Sequence, residues 1–101
     1  SVPAAPALIE QHVDITVRVL DDLGLHARPA ARLARTALAF EADVLILHED
    51  MTVDAKSILD ILTLAATRGT DLTISCRGVD AAQAAETLQL LFARPLAEEK
   101  E

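Results

Sequence analysis

The spacing of apolar residues along the chain has two periods, and these predict strands and helices in a definite order. Alternation over 13–20 puts four β-branched residues on one face, as in a half-buried strand. The same period predicts strands over 43–48, 51–54 and 71–77, and helical spacing covers 27–40, 57–68 and 80–92. The order βαββαβα predicts an α+β fold, an open-faced β-sandwich in which one antiparallel sheet of four strands has its three helices on one face.

Capping signals set the predicted ends of the second and third helices. Ser57 and Asp60 have the spacing of a capping box, and Gly69 is a typical C-terminal stop. Asp80 with Gln83 predicts a cap for the third helix. The second helix is therefore expected to end near Gly69.

Composition limits the chain to one domain and excludes several classes of function. Its 101 residues are 51% hydrophobic, and we expect a tail or linker over 1–12, the domain over 13–93 and a charged tail over 94–101. Neither a membrane-length apolar run nor a signal peptide is visible, so no membrane insertion is expected. A single cysteine, Cys76, predicts a reducing cytoplasm, and no metal or cofactor site has the required ligand spacing. The net charge of −7 argues against nucleic-acid binding.

Residues 24–30, with the sequence GLHARPA, carry the candidate chemistry. They place His26 where a glycine turn meets a helix, whose unpaired amides and dipole favour a phosphoryl group. Pro29 fits the first helical turn, and Arg28 can make forked contacts to phosphate oxygens. Because imidazole nitrogen can accept and release a phosphoryl group, the segment predicts a phosphohistidine carrier.

The charge around His26 supports this prediction. No acidic residue occurs between positions 23 and 40, whereas Arg28, Arg32 and Arg35 form a positive stripe along the first helix. We expect the stripe to steer acidic partners or a phosphoryl group, although a solvated helix face has the same pattern. The local sequence supplies no carboxylate to repel a phosphoryl group, apart from two aspartates a few residues upstream.

The second predicted helix carries more apolar residues than one buried stripe requires. Either part of this surface is exposed as a partner interface, or the sheet and third helix cover all of it. Ser57 is an N-cap on the simplest interpretation, but phosphorylation there would place charge beside a docking surface. No P-loop or catalytic triad accompanies His26, so an autonomous enzyme is not expected.

From about Asp14 to Phe92 the chain resembles HPr, the histidine-containing phosphocarrier family of the bacterial phosphoenolpyruvate-dependent sugar phosphotransferase system. The resemblance rests on three blocks, at 24–30, 55–59 and 68–74. It implies four antiparallel strands covered by three helices. It also implies that His26 accepts a phosphoryl group on Nδ1 from enzyme I and that Arg28 stabilises it.

The resemblance further implies an acceptor and a docking surface. The phosphoryl group passes to an enzyme II component of the A type, and the surface for both partners comprises Ala27, Ile58, Leu59 and Leu62. Ser57 matches a serine that a kinase phosphorylates in some members, but Asp60 replaces a glycine usual there. In some members a C-terminal carboxylate lies near the active arginine, and this contact does not carry over to a chain that continues to Glu101.

Several alternatives remain open at this point. The chain is a free carrier, expected to be monomeric, or an HPr-like domain of a multidomain phosphotransfer protein. Alternatively, it is a regulatory binding module in which phosphorylated Ser57 controls docking to a kinase or a transcriptional regulator. An unreactive α+β interaction domain would leave the block around His26 unexplained.

Overall fold

One antiparallel sheet with helices on one face forms the structure, a computed structural model that describes residues 10–98. The elements are β1 (Gln11–Arg18), α1 (Ala27–Ala37), β2 (Asp43–His48), β3 (Met51–Asp54), α2 (Ile58–Thr63), β4 (Asp71–Gly78) and α3 (Ala81–Leu91). The sheet order is β1-β4-β2-β3, and all three pairings are antiparallel. The predicted α+β fold class is confirmed.

Alternation in the central strands explains which face of the sheet carries the helices. In β2, Val44 and Ile46 are buried while Leu45 and Leu47 are exposed, so only one face meets the core. The apolar stripes of α1 and α3 pack on that face through small and branched residues, including Ala30, Leu33, Ala34, Ala84 and Leu88. Phe92 is buried in this core and Phe40 packs against it, but the other core residues are aliphatic or Cys76.

Three elements differ from their predicted bounds, and the first of them, α1, ends at Ala37 instead of near residue 40. β1 begins at Gln11 and ends at Arg18, because its pairing with β4 runs from Gln11 opposite Gly78 to Arg18 opposite Asp71. The prediction that α2 continues to about residue 68 is wrong, since the helix ends at Thr63. Ala65 has φ +48°, a left-handed conformation that stops the helix.

Gly69 is not the C-terminal stop that the sequence predicted. It lies in the turn before β4, where its amide donates to the Val19 carbonyl at 2.8 Å. The apolar pattern continues past the end of α2 because Leu64, the C-cap, and Ala66, in the irregular segment after it, are both buried. Burial alone therefore does not distinguish a helix from the segment that follows it.

The caps of the last two helices are built differently from each other. Ser57 Oγ accepts the Asp60 amide at 3.2 Å, but the Asp60 carboxylate accepts the Asp54 amide, not that of Ser57 as in a full capping box. Asp80 occupies the N-cap of α3 without a capping hydrogen bond, so the predicted side-chain cap there is wrong. Its carboxylate instead accepts the amides of Glu41 at 2.9 Å and Ala42 at 2.8 Å. The Glu41 hydrogen bond, assisted by the Ala42 one, holds the pKa of Asp80 below its usual range.

Candidate functional site

A glycine turn leads from β1 into α1 and fixes the approach to His26. The Gly24 amide donates to the Asp21 carbonyl at 2.9 Å, and Gly24 has φ +71°. A Cβ at Gly24 would lie 2.2 Å from the Ala66 carbonyl oxygen, closer than real Cβ atoms approach. The next amide, of Leu25, donates to that same oxygen at 2.9 Å. Glycine is therefore required both for its conformation and for the close approach of the two backbone segments.

His26 is the N-cap residue of α1 and its side chain is uncommitted to capping. Its backbone is extended (φ −74°, ψ −173°), its carbonyl accepts the Ala30 amide at 2.9 Å, and its side chain makes no capping hydrogen bond. The residue is partly exposed. The helix therefore holds the backbone of His26 while leaving the imidazole available to a partner.

The start of α1 offers two backbone donors beside this imidazole. Ala27 and Arg28 occupy the first two helical positions, and neither amide has an acceptor among residues 10–98. Pro29, at the third position, has no N–H and is buried. Two amides and the positive end of the helix dipole are thus free for an anion.

The three arginines of α1 are not equivalent. Arg32 Nη1 donates to the Leu96 carbonyl at 2.9 Å, and both Arg32 and Arg35 have further interactions. Arg28 is exposed, and within the described part of the chain its guanidinium has no hydrogen bond or ion pair. Arg28 lies two residues after His26, so its side chain is the cation of the stripe that remains available to a bound phosphoryl group.

On its other side, His26 borders an acidic cleft of about 310 Å³. The cleft is lined by Asp21, Asp22, Leu23, His26, Pro95, Ala97 and Glu98. Asp22 is paired with Arg68 at 2.9 Å, whereas Glu98 comes from the far end of the chain and is exposed. Although the sequence just after His26 lacks acidic residues, the fold therefore places carboxylates beside it.

An apolar groove of about 410 Å³ runs between α1 and α2. Its lining residues are Ala31, Ala34, Arg35, Leu38, Lys56, Ser57, Ile58 and Leu59. Leu59 is 76% exposed, while Ile58 and Leu62 are exposed by about 40%. Ile61 on the same helix is fully buried. One side of the second helix is therefore exposed, as in the first of the two alternatives given for it above. We call the exposed apolar residues of the groove, together with Leu62, the apolar surface; they are Leu38, Ile58, Leu59 and Leu62.

Ser57 lies at the edge of the apolar surface and is partly buried. Its hydroxyl is engaged with the Asp60 amide, and Asp54 and Asp60 are both within the same hydrogen-bonded loop. Lys56 Nζ donates to the Phe40 carbonyl at 2.8 Å, which ties the loop to the end of α1. A phosphate at Ser57 would thus meet carboxylates as well as the helix start.

The other two histidines lie elsewhere on the domain. His12, in β1, has its Nε2 3.0 Å from Ser75 Oγ and 3.2 Å from Asp14 Oδ1. His48 ends β2, with its Nε2 3.9 Å from Glu49 Oε1. No cluster of metal-ligating side chains occurs between residues 10 and 98, and no helix in that range is long and apolar enough to span a membrane.

Comparison with known proteins agrees with this geometry. Residues 13–94 match the family model described as PTS HPr component phosphorylation site. The phosphocarrier protein HPr of Treponema pallidum is 36% identical over 84 residues, which cover 83% of this chain and 96% of that protein. The HPr structure from Bacillus anthracis is 41% identical, with a TM-score of 0.76 over 80% of this chain and 96% of that one.

A second solved structure, HPr-C-His from Thermoanaerobacter tengcongensis, is 32% identical with a TM-score of 0.81, and the match covers 87% of this chain and 99% of that chain. The family match spans four strands, three helices and the turn that carries His26. The chain therefore belongs to the HPr family, the phosphocarriers of the phosphotransferase system.

Sequence reasoning singled out His26, Arg28 and the residues of the apolar surface but did not include two carboxylates that line the cleft beside His26. Asp21 was noted only as an upstream carboxylate, and Glu98 was assigned to a charged tail. The structure places both beside His26. Their only sequence signal was the apolar Leu96 within that tail, which is fully buried.

Proposed function

We propose that this chain accepts a phosphoryl group on His26 from phosphorylated enzyme I and passes it to an A-type enzyme II component for sugar uptake. The observation that carries the proposal is the uncommitted imidazole of His26 at a helix start with two free amides. We place the reaction in the cytoplasm and expect a monomer, since a carrier must dock successive partners through one surface.

The chemistry requires little from the carrier itself. A lone pair of the imidazole, at Nδ1 by family resemblance, forms the N–P bond as the bond from phosphorus to its donor group breaks. The amides of Ala27 and Arg28 and the Arg28 guanidinium stabilise negative charge on the transferring oxygens. The acceptor takes the same phosphoryl group from the imidazole, which returns to its starting state. The imidazole is therefore regenerated in each cycle.

Docking is assigned to the apolar surface beside the site. Ala27 is exposed next to His26, and Ile58, Leu59 and Leu62 extend the contact across α2. Burial of such side chains is the main source of association free energy, while exposed arginines accelerate encounter with acidic partners. One surface therefore serves both the donor and the acceptor of the phosphoryl group.

The test is phosphorylation by enzyme I with phosphoenolpyruvate and Mg²⁺, read by intact mass and phosphorus NMR. The wild-type chain should gain one acid-labile phosphate, and His26→Ala should gain none. His12→Ala is the matched control, because that histidine lies on β1 away from the helix start, and it should be labelled normally. Labelling of His26→Ala, or its loss in His12→Ala, would contradict the assignment.

Regulation through Ser57 is the second candidate function. It is supported by the position of Ser57 at the edge of the apolar surface, where a phosphate would alter docking. The expected partners are a serine kinase and a transcriptional regulator. Incubation with an HPr serine kinase and ATP distinguishes the two candidates: an acid-stable phosphate lost in Ser57→Ala supports regulation, and no incorporation refutes it.

A further inference from the structure

Asp21 is a buried carboxylate whose hydrogen bonds join the two ends of the domain. It is 2% exposed, and its Oδ1 and Oδ2 accept the amides of Leu96 and Ala97, each at 2.8 Å. Hydrogen bonds to an ionised acceptor are stronger than neutral ones. Because Asp21 also accepts the Gly24 amide through its carbonyl, one residue holds both the turn before His26 and the C-terminal segment.

The segment held by Asp21 is an ordered turn. Residues 95–98, which we call the C-terminal turn, are closed by a bond of 3.1 Å from the Glu98 amide to the Pro95 carbonyl. Leu96 has 0% exposure, and its carbonyl accepts from Arg32 at 2.9 Å. Its amide, its carbonyl and its side chain are therefore all engaged by the domain.

The C-terminal turn forms one wall of the acidic cleft beside His26. Pro95, Ala97 and Glu98 contribute to this wall, and Glu98 brings a carboxylate that is exposed. A phosphoryl group carries up to two negative charges near neutral pH, so phosphorylation of His26 places like charges across the cleft. The amides at the start of α1 and the Arg28 guanidinium attract the phosphoryl group, while the carboxylate of the turn repels it.

We propose that Asp21 is a positioning residue that fixes the C-terminal turn beside His26, so that Glu98 destabilises the phosphohistidine and favours its discharge to the acceptor. This inference rests on the proposed phosphorylation of His26. The Glu98 carboxylate thus repels the phosphoryl group in a site whose other groups attract it. The consequence is a carrier whose phosphorylated state is held at a higher free energy than the helix start alone would give.

The expected effect is that of two like charges on opposite walls of one cleft. At a separation of about 8 Å in water, a dianion and a carboxylate repel enough to change an equilibrium about sixfold. Screening reduces this to about fourfold at 0.01 M ionic strength and about twofold at 0.15 M. The salt dependence is a signature that a purely structural role of the turn would not produce.

The experiment measures the equilibrium between phosphoenolpyruvate and the carrier, with catalytic enzyme I, excess pyruvate and the phosphorylated fraction read by intact mass. Glu98→Gln should raise the equilibrium constant for phosphorylation by these factors at the two ionic strengths. Glu86→Gln is the control, because Glu86 is exposed on α3 and does not line the cleft. Asp21→Asn should raise the constant at least as much, since it removes a charge and weakens the hold on Glu98.

A double-mutant cycle separates positioning from the charge of Asp21 itself. If Asp21 positions Glu98, adding Glu98→Gln to Asp21→Asn changes the constant no further. The inference is overturned if the effects of the two substitutions on the equilibrium constant are fully additive. It is also overturned if Glu98→Gln and Glu86→Gln have the same equilibrium constant. Should Asp21→Asn fail to fold, the exposed Glu98 still decides the point alone. A wild-type chain that takes no phosphate on His26 in this assay instead refutes the proposed function.

Discussion

Replacing Gly24 by alanine tests whether the close approach of two backbone segments sets the position of His26. The new Cβ would meet the Ala66 carbonyl oxygen at 2.2 Å and Thr67 Cα at 3.1 Å. Both neighbours are backbone atoms, so the segment after α2 or the turn before His26 has to move. The hydrogen bond from the Leu25 amide to Ala66 is the first interaction to be lost.

The magnitude follows from two contributions. A left-handed conformation costs an L-residue about 1–2 kcal/mol, and loss of a backbone hydrogen bond costs about 0.5–1.5 kcal/mol before any further strain. The smaller entropy of the unfolded alanine chain offsets about 0.4–1 kcal/mol. We expect the free energy of unfolding of Gly24→Ala to fall by about 1–3 kcal/mol, to which the strain of displacing the two backbone segments is added, measured by urea denaturation.

Gly69→Ala is the matched control for this prediction. Gly69 also has a left-handed backbone, φ +88°, but a Cβ there meets nothing within 4 Å. Only the conformational cost applies, so its loss should be about 1 kcal/mol. Since 1 kcal/mol corresponds to about 4–8 °C for a domain of this size, Tm separates the two variants clearly. Equal losses in the two variants would refute the role given to the close approach.

Three further predictions concern the arginines, the apolar surface and pH. Arg28→Ala should slow phosphorylation about tenfold or more at unchanged Tm, which the initial rate of phosphotransfer and thermal unfolding measure. Arg32→Ala should instead lower Tm, because this variant loses its hydrogen bond to the C-terminal turn. Leu59→Ser should lower kcat/KM with enzyme I several-fold. Leu90 is 68% exposed on α3, and Leu90→Ser should leave kcat/KM unchanged. Equal effects of the two substitutions would contradict the docking assignment. The lowered pKa of Asp80 stabilises the folded state above about pH 4, and this contribution is lost as pH falls through the folded-state pKa. Asp80→Asn should therefore lower Tm at pH 7 and reduce the acid dependence of unfolding; an unchanged acid profile would argue against it.

The fold class could be predicted from the sequence, and the candidate site could be located at His26, because both depend on local patterns. Alternation in β2 and the stripe of α1 reflect burial on one face, and His26 follows from turn and helix-start chemistry. The end of α2 could not be predicted in the same way. Ala65 is left-handed although alanine favours helix, because burial of Leu64 and Ala66 outweighs the local preference.

The contact between Asp21 and the C-terminal turn could not be predicted from the sequence either. The two are separated by 75 residues, and a carboxylate followed by a second one resembles an ordinary solvated turn. Only the folded chain brings Leu96 into the core and Glu98 beside His26. Long-range hydrogen bonds to backbone amides leave no periodic signal.

The sheet order has a consequence for how the chain acquires its reactive shape during synthesis. Within residues 10–98, β1 pairs with β4 alone, and paired residues such as Arg18 and Asp71 are 53 positions apart. At a translation rate of about 5–20 residues per second, the first strand waits roughly 3–10 s for its partner to be made. The turn that follows β1 and carries His26 is completed only at that late stage. Because the Leu25 amide next to His26 donates to the Ala66 carbonyl, we expect the site to take its final geometry only after most of the domain has been synthesised.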